Sequence, residues 1–136
     1  MAKNTILLRD AGSEIQEKTS TAVTITPGAL LELTSGGLVQ ANSTAQDAIA
    51  APFFALEDSL QGNDIDDVYA VSVIVKYATG KAGARINAIA GAAVAVGAAV
   101  ESAGNGKLIT RTTGKPIGIC YTAAAGANAR LEIELI

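Results

Sequence analysis

The sequence predicts an all-β chain, a small β-barrel or β-sandwich, and three observations carry that expectation. Apolar residues recur at every second position in several short runs, most clearly in Arg130-Leu131-Glu132-Ile133-Glu134-Leu135-Ile136, and a period of two is the spacing of one strand face. Turn-forming residues separate those runs at short intervals, as at Pro27-Gly28, Gly36-Gly37, Gly62-Asn63 and Gly104-Asn105-Gly106. The Ala-rich stretch 86–100 would be helical on propensity alone, but Gly91, Gly97 and its Val content point to strands and turns.

Residues 1–20 are expected to form an extended N-terminal arm. Lys3, Arg9, Asp10, Glu14, Glu17 and Lys18 crowd this segment around one apolar cluster, Ile6-Leu7-Leu8. An apolar trio in a charged terminal segment suits strand addition to a partner. Ile6, Leu7, Leu8 and Arg9 are therefore the candidate contact residues.

A single β domain is expected over 21–136. Ala22-Val23-Thr24-Ile25-Thr26 alternates apolar residues with Thr and reads as its first strand, closed by the Pro27-Gly28 turn. Leu30-Leu31-Glu32-Leu33 and Leu38-Val39-Gln40 form a hairpin around Ser35-Gly36-Gly37, Asn42-Ser43-Thr44 is a polar loop, and Pro52 to Glu57 is a strand carrying both phenylalanines. Asp58 to Asp67 turns acidic and loop-like. Val68 to Tyr77 is the strongest β-forming run, because β-branched and aromatic residues fit a pleated surface. After a turn at Thr79–Gly83 come strands at Arg85–Ile89 and Val94–Val96, then a hairpin of Ala99–Glu101 with Lys107–Thr110. Pro116–Tyr121 and Arg130–Ile136 are the last two strands.

Two segments resemble each other. Pro27-Gly28-Ala29-Leu30-Leu31-Glu32, a glycine turn and Leu38-Val39 match Val96-Gly97-Ala98-Ala99-Val100-Glu101, a glycine turn and Leu108-Ile109. Each is followed by an apolar strand, Phe53–Leu56 in one case and Ile117–Cys120 in the other. The domain is thus expected to comprise quasi-duplicated halves, about 27–77 and 96–136.

Composition bounds the chemistry. The 136 residues are 49% hydrophobic but only 4% aromatic and 17% charged, with a net charge of -3. A mean hydropathy of +0.34 excludes a wholly disordered chain. Scattered basic residues and an acidic balance argue against nucleic acid as a partner. The sequence has no histidine, so Ser-His-Asp and Cys-His nucleophile pairs and His-ligated zinc are excluded. The single Cys120, in an apolar strand, can form neither an internal disulfide nor a thiolate metal cage. The uncharged stretch 86–100 is shorter than the roughly 20 residues that span a bilayer, and the Ile6–Leu8 patch is too short for a signal peptide. The expectation is synthesis in a cytoplasm and no membrane partner.

Three motifs carry some chemical suggestion. The acidic run Asp64-Ile65-Asp66-Asp67, near Glu57 and Asp58, lacks the glycine and terminal Glu spacing of a helix-flanked calcium loop. It is expected as a solvated loop. Thr79-Gly80-Lys81-Ala82-Gly83-Ala84-Arg85 hints at a phosphate cradle but lacks its glycine and hydroxyl spacing. Arg111-Thr112-Thr113-Gly114-Lys115 reads as a turn. No catalytic residue, metal ligand or cofactor site is expected, and the chain is expected not to be an enzyme.

Across about 22–136 the pattern Gly28-Ala29-Leu30-Leu31-Glu32 with Gly36-Gly37-Leu38-Val39, then Tyr69-Ala70-Val71 and Val75-Lys76-Tyr77, then Ala93 to Val100, Pro116-Ile117-Gly118-Ile119, Ala123-Ala124-Ala125-Gly126 and Leu131-Glu132-Ile133 resembles the capsid decoration, or cement, proteins of tailed bacteriophages. One departure is Ser72-Val73, where a Gly-Asp turn is expected; the long strand would then run on unbroken. The resemblance implies a β-tulip-like fold and a non-enzymatic structural protein of the virion. Such a protein stabilises the icosahedral head from its outer surface by bridging major capsid protein subunits, and commonly self-associates as a homotrimer. The alternative is a secreted or surface-displayed β-sandwich binding module, for carbohydrate for example. That reading needs Tyr69, Tyr77 and Tyr121 exposed on one face.

Overall fold

The structure, a computed structural model, describes residues 4–43 and 52–136. The first three residues of the expected arm, and Thr44 of the expected polar loop, lie outside the described residues. Eleven strands fill the described chain: β1 Leu7–Arg9, β2 Ile15–Thr19, β3 Leu30–Leu33, β4 Val39–Ala41, β5 Phe53–Ala55, β6 Ile74–Ala78, β7 Arg85–Ile89, β8 Ala99–Gly104, β9 Lys107–Thr110, β10 Gly118–Thr122 and β11 Arg130–Leu135. They form two antiparallel sheets, ordered β1-β7-β11-β10-β8-β9 and β2-β6-β5-β3-β4. The all-β expectation holds, and of its two forms the sandwich is the one adopted: the sheets are not closed into a barrel.

With β1 set aside, the two sheets share one plan. The chain order β2, β3, β4, β5, β6 and the chain order β7, β8, β9, β10, β11 each give a sheet in which the first strand pairs with the fifth, the fifth with the fourth, and the second with the third and fourth. Register repeats as well. Leu30 faces Phe54 as Ala99 faces Ile119, and Ala55 faces Tyr77 as Cys120 faces Ile133. Even single bridges recur: Ser20 with Val39 as Ala90 with Leu108, and Ile25 with Tyr69 as Val94 with Ala124. The equivalence therefore runs from residue 15 to 78 and from 85 to 134, wider than the sequence comparison indicates.

The turn entering the second strand of each half shows why glycine recurs there. Gly28 (φ +92°) and Gly97 (φ +85°) both lie in the left-handed region, which residues with a Cβ rarely adopt. Each donates its N–H to the fourth strand of its own half, Gly28 to Ala55 O at 2.7 Å and Gly97 to Cys120 O at 2.8 Å.

Each half also has equivalent core residues. Ile25, Ala29, Leu31, Val39, Ala55, Tyr69, Val75 and Tyr77 form one cluster. Their counterparts Val94, Ala98, Val100, Leu108, Cys120, Ala124, Leu131 and Ile133 lie in or against the other. The second cluster takes in more: Leu30, Phe54, Leu56 and Ala78, from the opposite face of the first half's sheet, pack into it. The volumes compensate. Where the first half fills its own core with Tyr69 and Tyr77, the second has Ala124 and Ile133, and the first half supplies Phe54 and two leucines instead.

The N-terminal segment requires a correction. Residues 5–20 are not an extended arm. β1 pairs with β7 at the edge of one sheet and β2 pairs with β6 at the edge of the other. Lys81 N–H donates to Ser13 Oγ (3.0 Å) and Glu14 N–H to Thr79 Oγ1 (3.0 Å), so the hinge between β1 and β2 follows the hinge between β6 and β7. The result is one long antiparallel ribbon that turns from sheet to sheet. Ile6 is wholly buried in the shared core.

Three strand expectations also change. Val68–Tyr77 is not one strand: Ser72 adopts φ 56°, the ladder strand is Ile74–Ala78, and Tyr69 is held by an isolated bridge to Ile25. Ala22–Thr26 and Val94–Val96 are irregular segments, each anchored by a single bridge at Ile25 or Val94. They pack across the sheets as lids, which requires one inward apolar anchor rather than a ladder.

Candidate functional site

Of the four candidate contact residues, the structure leaves only Arg9 on the surface. Ile6 is in the core, Leu7 packs against it and Leu8 is half-buried. Arg9 donates through Nε to Gly83 O (3.0 Å) and pairs with Glu134 (3.5 Å). Ile6 itself donates its N–H to Glu57 Oε1 at 3.1 Å. An apolar trio adjoining charges is ambiguous in sequence between an edge strand of the domain and a strand for a partner; here the domain uses it.

The acidic run closes on itself. Asp64 N–H donates to Asp67 Oδ2 at 2.9 Å, Asp67 N–H donates to Asp64 O at 3.1 Å, and Asp66 pairs with Arg130 at 3.3 Å. Among the described residues no group of three or more His, Cys, Asp or Glu is placed to hold a metal. Thr79–Arg85 is the ribbon hinge. Cys120 is buried, burial pushes its thiol up, and the thiol donates weakly to Thr122 O (3.4 Å).

Two carboxylates at equivalent positions, Glu32 and Glu101, anchor the loop that follows each hairpin. Glu101 is wholly buried and accepts from Gly114 N–H (2.5 Å) and Thr112 Oγ1 (3.3 Å). Glu32 accepts from Ser43 Oγ (2.6 Å) and Gln40 Nε2 (2.7 Å). Partial burial pushes the Glu32 carboxyl up, but the bonds from Ser43 and Gln40 outweigh it and hold the group below its ordinary value. These are structural acceptors: each ties a loop to a strand.

The surface carries several exposed aliphatic side chains beside grooves of mixed lining. The turn 59–61 is capped by Asp58, whose carboxylate accepts from Leu60 N–H (3.2 Å) and Gln61 Nε2 (2.6 Å). That turn holds Leu60 95% exposed. Beside it an open groove of about 500 Å³ runs past Ile74, with Glu17 and Lys76 in its wall. Val23, at the first lid, borders a second groove of about 410 Å³ that reaches Asn105. Val96 on the second lid is exposed too.

The outer face of the larger sheet carries a further constellation. Ile119 and Tyr121 project from β10 and are 42% and 51% exposed. The Arg85 guanidinium lies 3.9 Å from the centre of the Tyr121 ring and pairs with Glu134 at 3.2 Å. Ile119 is not among the sequence-based candidates, and Tyr121 enters only as one of the three tyrosines of the alternative carbohydrate-binding reading. Placing the two halves in register would have found Ile119, because it is the counterpart of Phe54. Tyr69 and Tyr77 are buried, so the three tyrosines do not form a common exposed platform.

No family model matches the chain, and no curated protein matches it.

Proposed function

We propose that this chain is a non-enzymatic structural subunit of a tailed-phage virion that decorates the outer surface of the icosahedral head and bridges major capsid protein subunits, associating with further copies of itself. The observation that carries the reading is the distribution of large aliphatic side chains. Leu60, Val23, Val96, Ile74 and Ile119 stand exposed on a rigid sandwich with few charges, and exposed apolar groups of this kind mark surfaces that other proteins cover. The resemblance to the decoration proteins supplies the setting.

The mechanism is additive. A subunit touching several shell proteins must break all its contacts before any one of them leaves, so modest contacts combine. Affinity for the expanded lattice alone would stabilise it by mass action. Since the N-terminal segment is part of the domain, the contacts come from the body: the groove beside Leu60 and the lid tips at Val23 and Val96.

Co-sedimentation with undecorated heads, expanded and unexpanded, tests the proposal. Saturable pelleting with expanded heads is the expected result. Absence of pelleting with heads of the cognate phage would overturn it.

A further inference from the structure

We propose that the outer face of the larger sheet, centred on Ile119 and Tyr121, is where a second copy of this chain docks. The internal duplication is the argument. In the first half the outer face presents Leu30, Phe54, Leu56 and Ala78, all buried against the second half. Register places Ala99, Ile119 and Glu134 of the second half at the positions of Leu30, Phe54 and Ala78, and Tyr121 follows at a bulge between Cys120 and Thr122. There the face is open, with Ile119 and Tyr121 about half exposed. One copy of the face is thus an established interface within the chain; on its counterpart the 112–114 loop covers Glu101 and Arg85 lies over Tyr121, while Ile119 and Tyr121 stay exposed among the described residues.

The covering body is narrowed by what the first half has already closed. A head-to-tail stack would seat this face on the core side of another copy's first half. That side is shut by Tyr69, which is buried and donates its hydroxyl to Leu56 O at 2.6 Å. The surface of a second copy that the charges of this face suit is the same face. It is self-complementary in charge: Arg9 and Arg85 lie on β1 and β7, and Glu132 and Glu134 on β11 beside them. Two copies related by a twofold axis can set Ile119 and Tyr121 against their mates and share those ions across the seam. The inference deepens the self-association in the proposed function, and it is tested on the free protein.

Light scattering after gel filtration, across a range of concentrations, should report an even multiple of 13.7 kDa for the wild type. Ile119→Glu with Tyr121→Ser should shift it to a monomer with its cooperative unfolding retained. Nitration supplies a second readout on the unaltered chain. Tyr121 is the exposed one of the three tyrosines, so its modification should slow severalfold in the associated form relative to a dilute sample. A wild type that is monomeric at all concentrations, a variant that still associates, or a Tyr121 equally reactive in both forms would each overturn the inference. Pelleting with heads separates the two ideas: a monomer that pellets removes this interface and keeps the decoration role, and an associated form that never pellets does the reverse.

Discussion

At the scale of single residues, the equivalent glycines show how one backbone demand can carry two different packing demands. A Cβ on Gly97 would meet nothing within 4 Å, whereas one on Gly28 would sit 2.6 Å from Asn87 O and against the Arg130 guanidinium. Arg130 fills that space to donate to Pro27 O (2.6 Å). Both Ala variants carry the left-handed backbone cost of about 1–2 kcal/mol. Gly28→Ala should add about 1–3 kcal/mol of overpacking. Urea titration checks the order; equal losses at the two sites would contradict it. Tyr69 gives a pH prediction. Burial pushes its hydroxyl up to about 12 from 10.0. A folded value above the unfolded one means a contribution fully present below pH 10.0 and lost as the pH rises through about 12. Stability should therefore fall across that window, and Tyr69→Phe should flatten the fall while lowering stability at neutral pH.

Single elements show where the sequence was legible and where it was not. Strands with two distinct faces, such as Arg130–Leu135, or bounded by tight glycine turns, such as Ala99–Gly104 with Lys107–Thr110, were readable because local periodicity and turn chemistry decide them. Val68–Ile74 was not. Its β-branched residues have the propensity, but Ser72 takes a left-handed turn so that Tyr69 can plug the core, and that is a tertiary demand. The N-terminal strands hid for the same reason: β1 and β2 pair with residues more than 50 positions away, which local pattern does not reveal. The candidate surface was less legible still, since Ile119 alternates with buried Cys120 as any strand residue would. Ile6 makes the N-terminal correction testable. Its truncation to Ala should cost about 2–5 kcal/mol, as for other buried aliphatic truncations, and removal of residues 2–15 should abolish cooperative thermal unfolding. A truncated chain melting like the full one would restore the arm.

On the scale of the whole molecule, the duplication raises the question of whether the halves fold separately. Their plans are the same, yet the interface between them is asymmetric. Leu30, Phe54 and Leu56 of the first half complete the core of the second, and Arg130 of the second half reaches Pro27 in the first. The N-terminal ribbon belongs to both sheets. Exposing those three side chains would cost about 1.5–3 kcal/mol each, together comparable with the roughly 5–15 kcal/mol that stabilises a domain. The second half, with Ala124 where the first has Tyr69, cannot replace that volume from its own residues. Folding should therefore be a single event despite the repeated architecture. Near-ultraviolet dichroism of Tyr77 and Tyr69, both in the first half, and far-ultraviolet dichroism of both sheets should give coincident denaturation curves. Residues 84–136 expressed alone should show no cooperative transition and should acquire one when mixed with residues 1–83. Two resolved transitions in the intact chain, or a cooperative isolated second half, would mean that each repeat carries its own stability and that the shared core is dispensable.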